Sequence, residues 1–309
     1  MSALRHVIAS LCALGVLAGS SGIAGAGISS PADRVKIVVT IPVLKDLAEQ
    51  VGGGRVSVTS LLSGQESEHT YAPKPSDVLA VRKARLLVEV GLGLDVWVAS
   101  LVKNSGNPSL RIVTTSKGIA LIRDRQGNEA GISADRDAHR GGNPHIWLDP
   151  ENAKVMMRHI TEALMKEDPD FASTYRENQA AYLGRIDRVQ TELMERVRSL
   201  PDRRLIVHHP AWPYFARRFK FQIAGEIVAQ AGAEPSAQHL QRLVDRIRRD
   251  RIRVIVSEPQ LNPKIPEALA RETGARLVVL SPLPGAMPGT ETYLDLLRYN
   301  VEQLVNALS

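Results

Sequence analysis

The chain has 309 residues, of which 44% are hydrophobic and 4% aromatic, and its formal net charge is +6. A chain of this length and apolar content can bury one large core or two medium ones. Arginines such as Arg242, Arg246 and Arg249 recur in helical stretches with no aromatic residue between them, so we do not expect a nucleic-acid surface.

The first 26 residues have the layout of a secretory signal peptide. Arg5 supplies a positive charge, residues 7–19 form an apolar run too short to span a bilayer, and residues 24–26 offer a small-residue cleavage site. The single cysteine, Cys12, lies in the apolar run, so the exported chain would contain no disulfide and no thiolate metal ligand. No later apolar run is long enough for a transmembrane helix, and we therefore expect a soluble exported protein.

Strand-like and helix-like segments alternate over the first half of the chain. The predicted strands cover residues 35–40, 56–62, 87–90 and 110–114. One predicted helix covers residues 43–52, and another begins at Pro75 with Ser76 as its cap. Alternation of this kind is typical of a parallel sheet that is covered by helices on both faces.

A long helical pattern follows. No proline occurs between residues 171 and 200, and large apolar residues recur at steps of three, four or seven. These residues are Tyr175, Tyr182, Ile186, Val189, Leu193, Val197 and Leu200. An uninterrupted helix of about 30 residues would be roughly 45 Å long, enough to run the height of two small domains.

The second half repeats the alternation of the first. The predicted strands are 204–207, 221–227, 253–256 and 276–280, and the predicted helices are 213–219, 237–249, 265–273 and 290–308. We therefore predict an α/β fold of two lobes, each a parallel β-sheet flanked by helices, joined by one long rigid helix with a cleft between the lobes. The predicted boundaries are a signal peptide over 1–26, an N-terminal lobe over 27–168, a connecting helix over 169–200 and a C-terminal lobe over 201–309.

Histidines far apart in sequence stand in loops that buried strands would deliver to this cleft. His69 and His145 are two of them, and the third is one of the adjacent pair His208 and His209. Successive residues of an extended chain point to opposite sides, so only one of that pair should face the cleft. Neutral imidazoles gathered in one cleft indicate a site for a borderline-soft divalent cation such as zinc.

The segment after His145 predicts a helix start. Asp149 followed by Pro150 is a cap and a first-turn proline, so we expect the Asp149 carboxylate to bond backbone N–H groups and not a metal.

Five motifs resemble those of the zinc- and manganese-binding solute-binding proteins of ABC importers. They are His69-x-Tyr71-x-Pro73, Asn143-Pro-His145-x-Trp-Leu-Asp-Pro150, His209-x-Ala211-Trp212-x-Tyr214-Phe215, Glu258-Pro-Gln260 and Tyr293-x-x-x-x-Arg298-Tyr-Asn300. The likeness runs from about residue 35 to the end of the chain. It implies a periplasmic or cell-surface receptor with its metal between two lobes, handing the ion to a membrane permease. We expect a periplasmic monomer that delivers to an ABC permease in the inner membrane.

Carried over by motif, the metal ligands implied by the resemblance are His69, His145 and His209. Histidine at the third position, where manganese receptors tend to have glutamate, argues for Zn²⁺, because nitrogen-rich sites suit zinc and manganese prefers oxygen. Mn²⁺ is the alternative cargo. Imidazoles bind metal only when deprotonated, so the affinity is expected to fall steeply below about pH 6.

The chain departs from the family pattern at the fourth ligand. Ser281 stands where the family often supplies an aspartate, and serine is a poor zinc ligand. Water, Glu68 or an empty position are the alternatives, and we expect Glu258 to support the site from outside the ligand set.

A histidine-rich loop, which zinc receptors often carry, is also missing. The corresponding segment, 124–140, contains only His139 with Asp135 and Asp137. Any auxiliary capture of metal there is predicted to be weak.

A zinc hydrolase is the alternative function from another class, since three histidines and an open fourth position also describe a catalytic zinc. Glu258 or Glu68 would then be the general base. The sequence contains no His-Glu-x-x-His motif, and we therefore expect no enzyme. A large organic cargo would need an aromatic-lined cleft, which an aromatic content of 4% does not favour.

Overall fold

The computed structural model describes residues 34–123, 142–229 and 232–309. The predicted signal peptide and the 124–140 segment with His139, Asp135 and Asp137 lie outside the described residues. None of the helices in the described ranges has the length and apolar character needed to cross a bilayer.

Four parallel strands form the sheet of the first lobe. The strands are β1 (Val35–Val39), β2 (Val56–Ser60), β3 (Leu86–Glu89) and β4 (Arg111–Thr114), and their order in the sheet is β2-β1-β3-β4. The helices α1 (Pro42–Gly52), α2 (Pro75–Lys83) and α3 (Val98–Ser105) connect them or lie beside them. Three consecutive apolar residues are buried in each of the two central strands, 37–39 in β1 and 86–88 in β3, as expected of a parallel sheet with helices on each side.

Helix α2 begins earlier than its predicted cap. Lys74 is the N-cap residue and Pro75 the first helical residue, so the prediction of Ser76 as the cap is wrong. The reason is Asp77, whose Oδ2 accepts the backbone N–H of Lys74 at 2.6 Å and the hydroxyl of Tyr71 at 2.7 Å. This carboxylate bonds the backbone at the start of the helix, so Ser76 does not serve as the cap.

Two long helices follow the first sheet and precede the second along the chain: α4 (Pro150–Glu167) and α5 (Ala172–Arg198). Helix α5 has 27 residues, which makes it about 40 Å long. The seven apolar residues that predicted it, from Tyr175 to Leu200, are all buried. A short 3-10 turn, Pro169–Phe171, precedes α5 where the sequence predicted continuous helix.

The second lobe repeats the sheet of the first. Its strands are β5 (Arg204–Val207), β6 (Gln222–Glu226), β7 (Val254–Ser257) and β8 (Arg276–Val279), in the order β6-β5-β7-β8. Its helices are α6 (Pro213–Phe219), α7 (Ala237–Asp250), α8 (Lys264–Thr273) and α9 (Tyr293–Leu308). The strand order is that of the first sheet, with β5 in the place of β1. This match confirms the predicted two-lobed α/β architecture.

The two lobes share one apolar core. A continuous cluster of buried side chains runs from the first sheet through α4 and α5 to one face of the second sheet. Buried polar contacts follow the same path: Asp46 Oδ2 on α1 accepts the hydroxyl of Tyr182 on α5 at 2.6 Å and the N–H of Tyr293 on α9 at 3.1 Å. Separating the lobes would expose this core, so large movements between them are costly.

Candidate metal centre

The structure brings the three predicted histidines together at the carboxyl ends of the strands. His69 lies in the loop after β2, His145 immediately before a 3-10 turn that leads into α4, and His209 two residues after β5. The Nε2 atom of His145 is 3.0 Å from that of His69 and 3.4 Å from that of His209. The ring centroids are 5.0 to 5.7 Å apart.

Glu68 is the fourth member of the cluster. Its Oε1 lies 3.5 Å from His145 Nε2 and 3.9 Å from His69 Nε2, and the four potential ligand atoms lie within 4.8 Å of one another. The side chain is buried, and within the described residues Oε1 accepts no hydrogen bond. A buried carboxylate oxygen without a donor is costly unless a cation or proton sits beside it.

The imidazoles keep Glu68 ionised. Burial alone would raise the pKa of Glu68, but a proton on the neighbouring rings of His145, His69 or His209 lowers it below its usual value. The carboxylate and the rings therefore titrate as one coupled group.

His145 is held by the residue two positions before it. Asn143 Oδ1 accepts the backbone N–H of His145 at 3.1 Å and its Nδ1–H at 3.0 Å, while Asn143 Nδ2 donates to the carbonyl of Pro210 at 2.6 Å. With the proton on Nδ1, the lone pair of Nε2 points into the cluster. Burial lowers the pKa of His145 to about 3, so the ring is neutral.

His209 is held by a buried carboxylate on the second lobe. Its Nδ1 donates to Glu258 Oε1 at 2.8 Å, and the indole N–H of Trp212 donates to the same oxygen at 3.0 Å. Burial works to lower the pKa of His209, but the Glu258 carboxylate outweighs it and raises that pKa above its usual value. Glu258 thus lies behind His209, not in the space that the Nε2 atoms share.

The neighbouring His208 is outside the cluster. It is buried, and its Nδ1 has no hydrogen-bond partner in the described part of the chain. Its carbonyl accepts the N–H of Val228 at 2.9 Å, and its ring is not among the four side chains whose ligand atoms converge. The residues alone left the choice between them open, and the resemblance selected His209.

The Ser281 hydroxyl bonds its own loop and accepts the side-chain amide of Gln260 at 3.3 Å. It donates to the carbonyl of Leu283 at 2.7 Å and accepts the N–H of Leu283 at 3.2 Å, while the N–H of Ser281 donates to Asn300 Oδ1 at 3.0 Å. Its role here is to shape the loop that follows β8.

Asp149 caps α4, as predicted. Its Oδ1 accepts the N–H of Glu151 at 3.0 Å. The same buried carboxylate binds Arg218 Nε at 2.6 Å and Arg217 Nη2 at 3.3 Å, both on α6 of the second lobe. It therefore fixes the His145 segment to the lobe that carries His209, a tie that sequence analysis did not find.

Comparisons with known proteins give one consistent family. The family model described as zinc-uptake complex component A, periplasmic, matches residues 37–307. The manganese-binding lipoprotein MntA of Halalkalibacterium halodurans is 27% identical over 301 residues, covering 96% of each chain. The high-affinity zinc uptake system protein ZnuA of Brucella suis is 27% identical over 315 residues, covering 92% of this chain and 94% of the relative. A crystal structure of ZnuA superimposes with a TM-score of 0.78 and 31% identity over 90% of this chain and all of that one.

Proposed function

Because the chain belongs to the family of zinc-uptake complex component A, the metal-binding receptors of ABC importers, we propose that it captures Zn²⁺ outside the cytoplasm and delivers it to a membrane permease. The ligands in this proposal are His69, His145 and His209 through Nε2 and Glu68 through Oε1.

The observation that carries the proposal is the spacing of these four atoms. Zinc bonds nitrogen and oxygen at about 2.0–2.1 Å, so two ligands on a tetrahedral ion lie about 3.3 Å apart. The Nε2 atoms are separated by 3.0 and 3.4 Å and Glu68 Oε1 lies 3.5 and 3.9 Å from two of them. Small shifts of side chains would place all four around one ion.

The donor set favours zinc over manganese. Three imidazoles and one carboxylate form a compact nitrogen-rich set, whereas manganese prefers more oxygen ligands and six-fold coordination. Relatives named for manganese and for zinc are about equally similar to the chain, so overall similarity does not choose between the ions. The donor atoms make the choice in this proposal.

Local charge explains how a basic protein would attract a cation. The net charge is +6, so the overall field repels metal ions. Glu68 and Glu258, however, place two buried carboxylates at the site. The hydrated ion would exchange water for three neutral rings and one carboxylate, and Asn143 and Glu258 hold two of the rings ready for it.

The hydrolase alternative is not favoured by this geometry. A catalytic zinc keeps one position open for water, and four protein donors fill a tetrahedral ion. Glu258 Oε1, one of the two candidate bases, accepts N–H groups from His209 and Trp212, and Glu68 belongs to the cluster itself.

The proposal is tested by metal titration against a competing chelator. The exported form of the protein should bind one Zn²⁺ far more tightly than Mn²⁺, and His69→Ala, His145→Ala and His209→Ala should each weaken that binding strongly. His159→Ala, on the surface of α4, is the matched control and should bind as the unmodified protein does. Tight zinc binding by two of the three site variants, or tighter binding of Mn²⁺, would contradict the proposal.

Delivery to a permease is tested in the source organism. Cells lacking the gene should grow poorly in chelator-treated medium, and added Zn²⁺ should restore their growth. Restoration by Mn²⁺ but not by Zn²⁺ would overturn the assigned cargo.

A further inference from the structure

Two loops from opposite lobes meet backbone to backbone beside the metal centre. One is the loop of residues 63–66 after β2, and the other is the loop of residues 283–286 after β8. A Cβ atom on Gly64 would lie 2.2 Å from the carbonyl oxygen of Pro284, and one on Gly285 would lie 3.0 Å from the carbonyl oxygen of Ser63. Gly64 has a φ of +102° and Gly285 a φ of +80°, so conformation as well as space requires glycine at both positions.

Two glutamines cross this junction in opposite directions. Gln65 of the first lobe donates through Nε2 to the carbonyls of Gly285 at 3.2 Å and Ala286 at 3.0 Å. Gln260 of the second lobe donates through Nε2 to the carbonyl of Gly64 at 2.7 Å and to Ser281 Oγ at 3.3 Å. We call Gly64, Gln65, Gln260 and Gly285 the loop clasp.

Each glutamine belongs to the same short segment as a residue of the metal centre. Gln65 precedes Glu68 by three positions and Gln260 follows Glu258 by two. The clasp therefore ties the loop that carries Glu68 and His69 to the lobe that carries His209. None of its atoms belongs to the four-ligand cluster.

We propose that the loop clasp controls how fast the ion enters and leaves the site, with Gln65 and Gln260 as positioning residues. The inference rests on the proposed function. The shared core keeps the lobes together, so a local movement of the 63–69 loop is the smallest opening that frees two ligands at once. The clasp opposes that movement with neutral amide-to-carbonyl bonds, which water can replace at modest cost.

Release kinetics test the inference. Zinc-loaded protein is mixed in a stopped-flow instrument with excess chelator, using the unmodified chain, Gln65→Ala, Gln260→Met and the double variant. Each single variant should release zinc about fivefold to tenfold faster, as the loss of one or two such bonds implies, and the double variant more than twentyfold faster. The equilibrium affinity should change by less than about fivefold, so association should accelerate as well. Gln241→Ala, an exposed glutamine on α7, is the control.

One backbone variant opens the clasp, and a second glycine variant is its control. Gly64→Ala should force the loops apart and speed release, whereas a Cβ on Gly54 meets nothing within 4 Å and Gly54→Ala should behave as the unmodified chain. The visible spectrum of bound Co²⁺ should stay the same in the glutamine variants, because the ligands are unchanged.

The two proposals fail separately. If the unmodified chain does not bind zinc, the proposed function is wrong. If it binds zinc and the folded double variant releases the ion within twofold of the unmodified rate, the clasp has no control over release and only this inference is overturned.

Discussion

Glu258 Oε1 lies 2.8 Å from His209 Nδ1, and both side chains are buried. This contact sets the tautomer of the ring, so that Nε2 faces His145 and His69. The other oxygen, Glu258 Oε2, has no hydrogen-bond partner within the described residues. The carboxylate therefore acts on the site through His209, by orienting the ring and raising its pKa.

Replacing Glu258 should weaken metal binding without removing a ligand. Glu258→Gln keeps the shape of the side chain but loses the charge that polarises His209, so we expect zinc affinity to fall about 10- to 100-fold with one ion still bound. Chelator-competition titration measures the change. Glu267→Gln, on the exposed part of α8, is the control, and equal affinities for the two variants would show that the contact has no influence on the metal.

Substitutions of Glu68 and Glu66 should have very different effects on zinc affinity, although the two residues are only two positions apart. Glu68 faces the imidazoles, whereas Glu66 Oε2 accepts the N–H of Ser63 at 2.9 Å and its hydroxyl at 2.7 Å. Glu68→Gln should lower zinc affinity at least tenfold. Glu66→Gln should leave it within about threefold, as expected for a group that only bonds its own loop. A titration in which both variants lose the same affinity would remove Glu68 from the ligand set.

The zinc affinity should fall less steeply on acidification than it would if all three histidines titrated. His209 binds metal only as the neutral ring, and its pKa is raised, so a bound proton must be displaced as the pH falls through that value. Burial lowers the pKa of His145 to about 3, so this ring keeps its ligating form down to pH 5. The logarithm of the affinity, measured from pH 8 to pH 5, should therefore fall with a slope well below three protons per ion. A slope of three would contradict the electrostatics of the cluster.

Replacing Asp149 should lower the stability of the fold more than the affinity for metal. Asp149→Ala removes the cap of α4 and leaves Arg217 and Arg218 without their buried partner, so we expect a loss of about 3 kcal/mol in the free energy of unfolding. Urea unfolding of the metal-free protein measures it. The matched variant Asp245→Ala, on the surface of α7, should stay within about 0.5 kcal/mol of the unmodified protein.

Most of the fold follows from hydrophobic periodicity. The strands and the long helix were predicted within a few residues of their observed ends, since buried runs and a repeat of three and four residues are strong local signals. Helix α3 was missed because its eight residues span only about two turns, too few for the apolar period to stand out. The start of α2 was misplaced because it depends on Asp77 and Tyr71, whose contact belongs to the folded loop.

The site was only partly predictable. Loop histidines after buried strands indicated a metal, and the family motifs selected His209 over His208. The place of Glu68 depends on how the loop after β2 turns, and no pattern of spacing encodes that turn. Two contacts between the lobes were not predictable: Asp149 with α6, and Gln65 with the second lobe. Their partners are separated by 68 positions and by more than 200 positions in the sequence, so they meet only once both lobes are packed.

X-ray absorption of the zinc-loaded protein tests the central claim most directly, because it reports the atoms bonded to the ion. The account predicts four nitrogen or oxygen neighbours at about 2.0–2.1 Å, with the outer-shell scattering of three imidazoles, and the loss of one imidazole in His145→Ala. A shell of six oxygen-dominated neighbours, or scattering from fewer than two imidazoles in the unmodified protein, would contradict a zinc site built from His69, His145, His209 and Glu68.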